Sequence, residues 1–207
     1  MNLVVRTLTG GFNPELNGDD KYFQQIVGNF FNEAEHKFKD SKIELRTKRI
    51  NTPLFNYKIS FDDKRLHSII NKVLNVCENN DIRWICTSFN TFDQDLRVLN
   101  NEVLEIMKRH KNIFVNYVVA KDDMINRYGI KYASKIINMI SKLSNTGYDN
   151  FRFGASFNCV PNTPFFPFTY QEGDDGFSIS LELVPVILDV VKKNKSKDLN
   201  EKRQEIL

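Results

Sequence analysis

Ile82-Arg83-Trp84-Ile85-Cys86-Thr87-Ser88-Phe89 is followed by Leu96, Leu99, Val103, Leu104 and Met107, and then by Ile113-Phe114-Val115-Asn116-Tyr117-Val118-Val119. The first and last runs are rich in β-branched and aromatic residues, the composition of strands. The middle set recurs at three- and four-residue spacing, which is one face of a helix. A strand, a helix and a strand in this order make a βαβ unit, whose two strands lie parallel.

The same unit repeats outward in both directions. Upstream, Leu66, Ile69, Ile70, Val73, Leu74 and Cys77 form a helical stripe, entered through Asp62 as a cap. Before it, Ile43 to Ile50 reads as a strand that Asn51-Thr52-Pro53 ends. Earlier still, Tyr22, Phe23, Ile26, Val27, Phe30, Phe31, Ala34 and Phe38 share a helix face starting near Asp19. The chain opens on a strand, Leu3 to Thr9, stopped by Gly10-Gly11. Downstream, Tyr132, Ala133, Ile136, Ile137, Ile140 and Leu143 mark a helix closed by Asn145-Thr146-Gly147. Phe151 to Phe157 is a fifth strand. Gly176 to Leu181 alternates again, and Leu183 to Val191, with Pro185 near its start, reads as a last helix.

Five strand-then-helix units predict an α/β fold with a five- to six-stranded, mainly parallel sheet and right-handed crossovers. Residues 1–191 read as a single α/β domain. Residues 192–207 are mostly Lys, Asn, Asp and Glu, the composition of a charged helix end or a frayed tail.

Composition narrows the function classes. Apolar residues at 41% and charged residues at 27% describe a soluble globular chain. The balance of 29 basic against 26 acidic residues is too even to argue for nucleic acid. No apolar run reaches the length of a membrane span, and the start lacks a signal-peptide pattern. Three widely spaced cysteines, Cys77, Cys86 and Cys159, fit neither a disulfide framework nor a zinc site, so a cytoplasmic setting is expected. His36, His67 and His110 lie among charged helical residues, and no metal site is expected from them. No motif names a cofactor, which stays unknown: Gly10-Gly11 follows a strand, but no dinucleotide fingerprint or Walker motif is present.

Parallel α/β folds bind ligands beyond the carboxyl ends of their strands. That rule selects Thr7, Thr9, Arg49, Asn51, Thr52, Ser88, Asn90, Asn116, Lys121, Asp122, Asn158 and Cys159, a polar set suited to hydrogen-bonding a small polar ligand. Each has a plainer role: Asn and Thr at strand ends satisfy turn backbone, and arginines such as Arg6 and Arg49 bind either an anion or solvent and salt-bridge partners. Cys77 and Cys86 read as packing residues, and Cys159 as an end-of-strand thiol without an evident base. Glu172, Asp174 and Asp175, with Glu182, either hold a divalent cation or form an exposed acidic turn.

The least ordinary stretch is Asn158-Cys159-Val160-Pro161-Asn162-Thr163-Pro164-Phe165-Phe166-Pro167-Phe168-Thr169-Tyr170. Each proline removes a donor and fixes φ, and each residue before one is pushed to an extended conformation. Phe165 and Phe166 either line a pocket or plug a core. The Pro161 to Tyr170 segment, the following Gly176 to Glu182 strand, Val5-Arg6-Thr7-Leu8-Thr9 and Arg46-Thr47-Lys48-Arg49-Ile50 resemble the DUF711 family, also called UPF0210. The resemblance implies half of a ten-stranded α/β barrel like that of pyruvate formate-lyase, which joins two antiparallel five-stranded halves. It implies no catalytic residue, and the chain has no glycine-radical motif or facing cysteine pair. Family members are about twice this length, so a homodimer or hetero-oligomer is expected to complete the barrel.

The function expected is binding of a small polar ligand near residues 158–170, with Arg6, Arg49, Asn90, Asn116, Asn158, Cys159, Thr163, Tyr170 and Glu182 as the contacts. The alternative is a structural subunit that completes a barrel without catalysis of its own. Whether the chain is an enzyme stays open, since no acid/base pair stands out.

Overall fold

Nearly every apolar stripe picked out above folds as a strand or helix in the computed structural model, which describes residues 3–15, 19–56, 63–92, 94–193 and 198–206. Strand β1 (Val4–Gly11) leads to helix α1 (Asp20–Asp40), where the Asp19 carboxylate accepts the Tyr22 N–H at 2.8 Å as a cap. Two segments follow along one edge of β1: the short β2 (Glu44–Leu45) and β3 (Lys48–Phe55). Then come α2 (Asp63–Asn79), β4 (Trp84–Asn90) and α3 (Leu96–Arg109), capped by Asp95. Strand β5 (Ile113–Lys121) turns through β6 (Met124–Ile125) into α4 (Arg127–Ile140), capped by Asn126. A 3-10 helix (Tyr148–Arg152) runs into β7 (Phe153–Phe157). The end comprises β8 (Gly176–Leu181), α5 (Val184–Lys193) and α6 (Leu199–Ile206).

All these strands join one curled sheet, a half-barrel. Strands β1, β3, β4, β5 and β7 lie side by side in chain order and all run parallel. Each crossover advances in the same direction. With a common hand, that progression puts every connecting helix on the same face. The core confirms the geometry: Leu8, Ile50, Ile85, Phe89, Val115, Tyr117 and Val119 meet Phe23, Phe31, Leu66, Val73, Leu99, Val103 and Ile136 from the helices, all buried. Each such aliphatic or aromatic side chain contributes roughly 1.5–3 kcal/mol by leaving water. Strand β8 lies antiparallel on the free edge of β1, with Thr9 opposite Ser178.

Several boundaries differ from those read in the sequence. Strand β3 does not end at Asn51-Thr52-Pro53 but continues to Phe55. Its register against β4 shifts between Asn51 and Leu54, an irregularity that accommodates a residue without an N–H. Gly10 and Gly11 do not stop β1 either; they pair with Ile50 and Asn51 within it. A Cβ on Gly11 would crowd Asn51 and Gln171, so glycine serves close packing there. Helix α4 ends at Ile140, before Gly147, which takes φ +67 and opens the 3-10 helix. Phe151 and Arg152 belong to that 3-10 helix and not to β7. Residues 199–206 of the charged tail are helical. The cap expected at Asp62 lies outside the described residues.

A single-sided arrangement leaves the other sheet face without helices. Side chains there alternate with the core set: Thr7, Thr9, Arg49, Asn51, Cys86, Ser88, Asn116 and Ser156. The chain itself crosses this face. Residues 158–175 leave β7 at one edge of the sheet and deliver β8 to the other.

Candidate functional site

The crossing segment is fastened to the polar face mainly through Thr169. Its carbonyl accepts from the Cys86 thiol and the Ser88 hydroxyl, each at 3.2 Å, and its hydroxyl accepts from Asn51 Nδ2 at 2.8 Å. Cys86 Sγ also donates to the Pro167 carbonyl at 2.8 Å. The Gln171 N–H donates to the Thr52 carbonyl at 3.0 Å. Phe168 packs against Gly154, where any Cβ would overlap its ring. Phe166 packs edge-on against Phe114, with centroids 5.0 Å apart, and its ring faces the Arg49 guanidinium at 4.7 Å. Phe166 is therefore the plug, whereas Phe165 is 65% exposed and stacks on Phe168. The Phe166–Pro167 peptide is cis.

The segment also holds itself together. Asn162, at φ +58, accepts the Glu172 N–H and donates to the Glu172 carbonyl, while its own N–H reaches the Tyr170 carbonyl at 2.8 Å. The buried Tyr170 hydroxyl donates to the Cys159 carbonyl at 3.3 Å. Burial, followed by the charges of Glu172, Cys159 and Asp122, raises the Tyr170 phenol above its usual value, so it stays a donor. Thr163 Oγ1 accepts the Phe165 N–H, a local turn contact.

The polar face keeps polar atoms that nothing satisfies. Asn51 Oδ1, Asn116 Oδ1, Ser156 Oγ and Arg49 Nε are buried without a hydrogen-bond partner. Asn116 donates from Nδ2 to Ser88 Oγ at 3.2 Å, which leaves its oxygen free on the same face. A buried polar group without a partner costs about 1–3 kcal/mol, so four on one face is an unusual concentration. A small gap lined by Thr9, Gly11, Asn51, Asn162 and Ser178 lies beside the first of these, Asn51. The Cys86 thiol is no nucleophile here: burial, opposed by its bonds to Ser88 and Thr169, pushes it up to about 12.

The nine residues singled out in the sequence fall into two groups. Asn116, Asn158, Cys159, Thr163 and Tyr170 lie on or beside the crossing segment. Asn90 stands nearby at the end of β4, where its side chain bonds Asn56 and the Phe92 N–H. Arg6, Arg49 and Glu182 lie at the end where the parallel strands begin, with Arg49 against Phe166 of the crossing segment. Glu182 is paired with Arg46, so it lies a strand length away from Asp174 and Asp175 and does not join them. Among the described residues, no three His, Cys, Asp or Glu side chains converge on a metal-sized site.

Arg49 has no carboxylate partner among the described residues. Burial first, then the charges of Arg6 and Arg83, lower its pKa from the usual guanidinium value. Sequence reasoning passed over Arg83, Thr169 and Ser156. Ser156 was legible as an alternate residue of a strand, but Thr169 becomes important only once its segment crosses the sheet.

A broad cleft of about 810 Å³ opens beyond β4 and β5, lined by Thr91, Gln94, Asp95, Arg97, Asn126, Tyr128 and Tyr132. Its two helix N-termini are already capped by Asp95 and Asn126. Among the described residues no helix is long and apolar enough to cross a membrane. No curated protein matches this chain. The family model described as "Uncharacterised ACR (DUF711)" matches residues 1–207, and the chain belongs to that family.

Proposed function

We propose that this protein binds a small polar ligand on the polar face of its half-barrel, against the 158–171 segment. One observation carries the reading: Asn51 Oδ1, Asn116 Oδ1 and Ser156 Oγ are buried without partners on the same face. Buried polar atoms in proteins are paired, by protein, water or ligand. An array of amide and hydroxyl oxygens complements a small polar ligand rich in hydrogen-bond donors. The arrangement offers no paired acid and base, so recognition accounts for it better than proton transfer.

A thermal-shift screen against polar metabolites and divalent metals tests the proposal, because a ligand specific for the native state raises apparent stability. A stabilising metabolite whose effect disappears in Asn116→Ala and Ser156→Ala, with both variants folded, is the expected result. Failure of every metabolite to shift the midpoint, or a shift that both variants keep, refutes it.

A second reading, barrel completion by a further chain, is supported by a different observation. Strand β8 ends the sheet with Phe177 62% and Leu181 46% exposed, and α5 buries none of its side chains. An apolar sheet edge of that kind is a template for pairing. Sedimentation gives the answer: a stable monomer at micromolar concentration removes this reading.

A further inference from the structure

The geometry points to an oxyanion-binding site formed by Arg6, Arg49 and Arg83 where the parallel strands begin. It lies at the other end of the polar face from Asn116 and Ser156 and stands whether or not a ligand binds there.

The strand register brings the three together. Arg49 pairs with Thr9 of β1 on one side and with Trp84 of β4 on the other. Arg83 immediately precedes Trp84, and its guanidinium lies 4.8 Å from that ring. The Arg83 N–H donates to the Lys48 carbonyl at 3.1 Å, which fixes its backbone beside Arg49. Arg6 sits where β1 shifts register against β8, between Val5 and Thr7, three residues before the partner of Arg49. Such an irregularity re-aims a side chain.

None of the three has an ion pair among the described residues. Four carboxylates stand on this rim: Glu44 and Glu182 are taken by Arg46 and Glu35 by Lys48, while Asp81 lines the same hollow as Arg83 but makes no ion pair among the described residues. Arg49 is the decisive member. Its Nε is fully buried and makes no hydrogen bond. Its plane is held by the face of Phe166, and the aromatic pair Phe166–Phe114 and the neighbouring Trp84 wall that side. Three positive charges of which none is held in an ion pair are unfavourable together unless an anion joins them. A guanidinium offers five N–H donors in a fixed fork, which suits the planar or tetrahedral oxygens of a carboxylate or a phosphate. Arg6 and Arg83 are exposed and open to solvent, so an anion can reach the group from outside the sheet.

Inorganic phosphate and malonate serve as probes, each titrated at constant ionic strength set by chloride. The readout is the 15N–1H resonance of each arginine Nε–H in the intact chain. The expected result is a saturable shift of the Arg49 Nε–H with one or both probes, joined by Arg6 and Arg83. The probe that saturates at the lower concentration identifies a phosphate or a carboxylate as the preferred group. Arg83→Ala, at an exposed position, keeps the fold and weakens the binding by about tenfold or more, the effect of one charge-assisted hydrogen bond. Arg49→Ala abolishes the saturable response of Arg6 and Arg83. The site is disproved if the Arg49 resonance follows chloride as strongly as either probe. Unchanged affinity in both variants disproves it as well.

Discussion

Arg152 is fully buried and Arg49 half-buried, and their surroundings could hardly differ more. Arg152 is 1% exposed, and each of its guanidinium nitrogens is satisfied. Nε and Nη2 donate to Asp149 Oδ1, Nη2 also to the Met107 carbonyl, and Nη1 to the His110 and Ile113 carbonyls. It ties the last turn of α3, whose carbonyls lack helical partners, to the start of β5. Arg49 has an aromatic ring, two like charges and an unpaired Nε. The first arrangement is a closed structural knot. The second is incomplete, and a charge left incomplete inside a protein is the usual mark of a group waiting on a partner from outside.

Removing the knot should have the largest effect. Arg152→Ala leaves buried Asp149 with only the exposed Lys111 as a counter-charge and three carbonyls unpaired, and is expected to destabilise the fold by about 3–5 kcal/mol in urea denaturation. A loss under about 1 kcal/mol would erase the distinction between the two arginines. Gly154→Ala acts on the cover over Arg49. The new methyl collides with Phe168, so a cost of about 1–3 kcal/mol is expected from overpacking. Leaving stability untouched would mean that the crossing segment is not seated against the sheet.

Acid sharpens the comparison next. Burial alone would raise the Asp149 carboxyl, but the Arg152 hydrogen bonds and charge, with Ser144 and Lys111, outweigh it and hold it below its ordinary value. A carboxyl depressed in the folded state adds stability that is complete above its ordinary value of 3.8 and is lost as pH falls through the folded value. Asp149→Asn should therefore flatten the acid limb of the stability–pH curve, and identical limbs for the two proteins would contradict the assignment. The smallest effect is expected at Arg49. Arg49→Leu exchanges an unpaired, partly buried charge for an apolar side chain and should lie within about 1 kcal/mol of neutral, or stabilise. A large loss would show that Arg49 is structural after all.

The contrast also explains what could be read in the sequence. The stripe Leu66, Ile69, Ile70, Val73, Leu74 and Cys77 was legible because every member faces one core, and all six are buried. The strands were legible for the same reason, through alternation such as Ile85 and Phe89 against Cys86 and Ser88. Arg152 was not legible. Phe151-Arg152-Phe153 reads as an outward arginine in a strand, whereas its carbonyl partners lie 39 to 45 residues away and leave no local signal. The same limit applies to Glu182, which looks like part of an acidic cluster but pairs with Arg46, 136 residues earlier. Arg49 and Asn116 could be named from their strands, yet which atoms would lack partners depended on where residues 158–171 cross.

Strand order has a kinetic consequence. Each parallel strand neighbours the one before it in the chain, so most of the sheet can grow by closing short loops, one unit at a time. The pairing of β1 with β8 is the exception, since it joins Thr9 to Ser178 and must wait for nearly the whole chain. The first strand made is thus the last to gain its outer neighbour. Amide exchange should find the β1–β8 ladder opening ahead of the β3–β4–β5 centre, so that this edge of the half-barrel breathes while its middle stays shut.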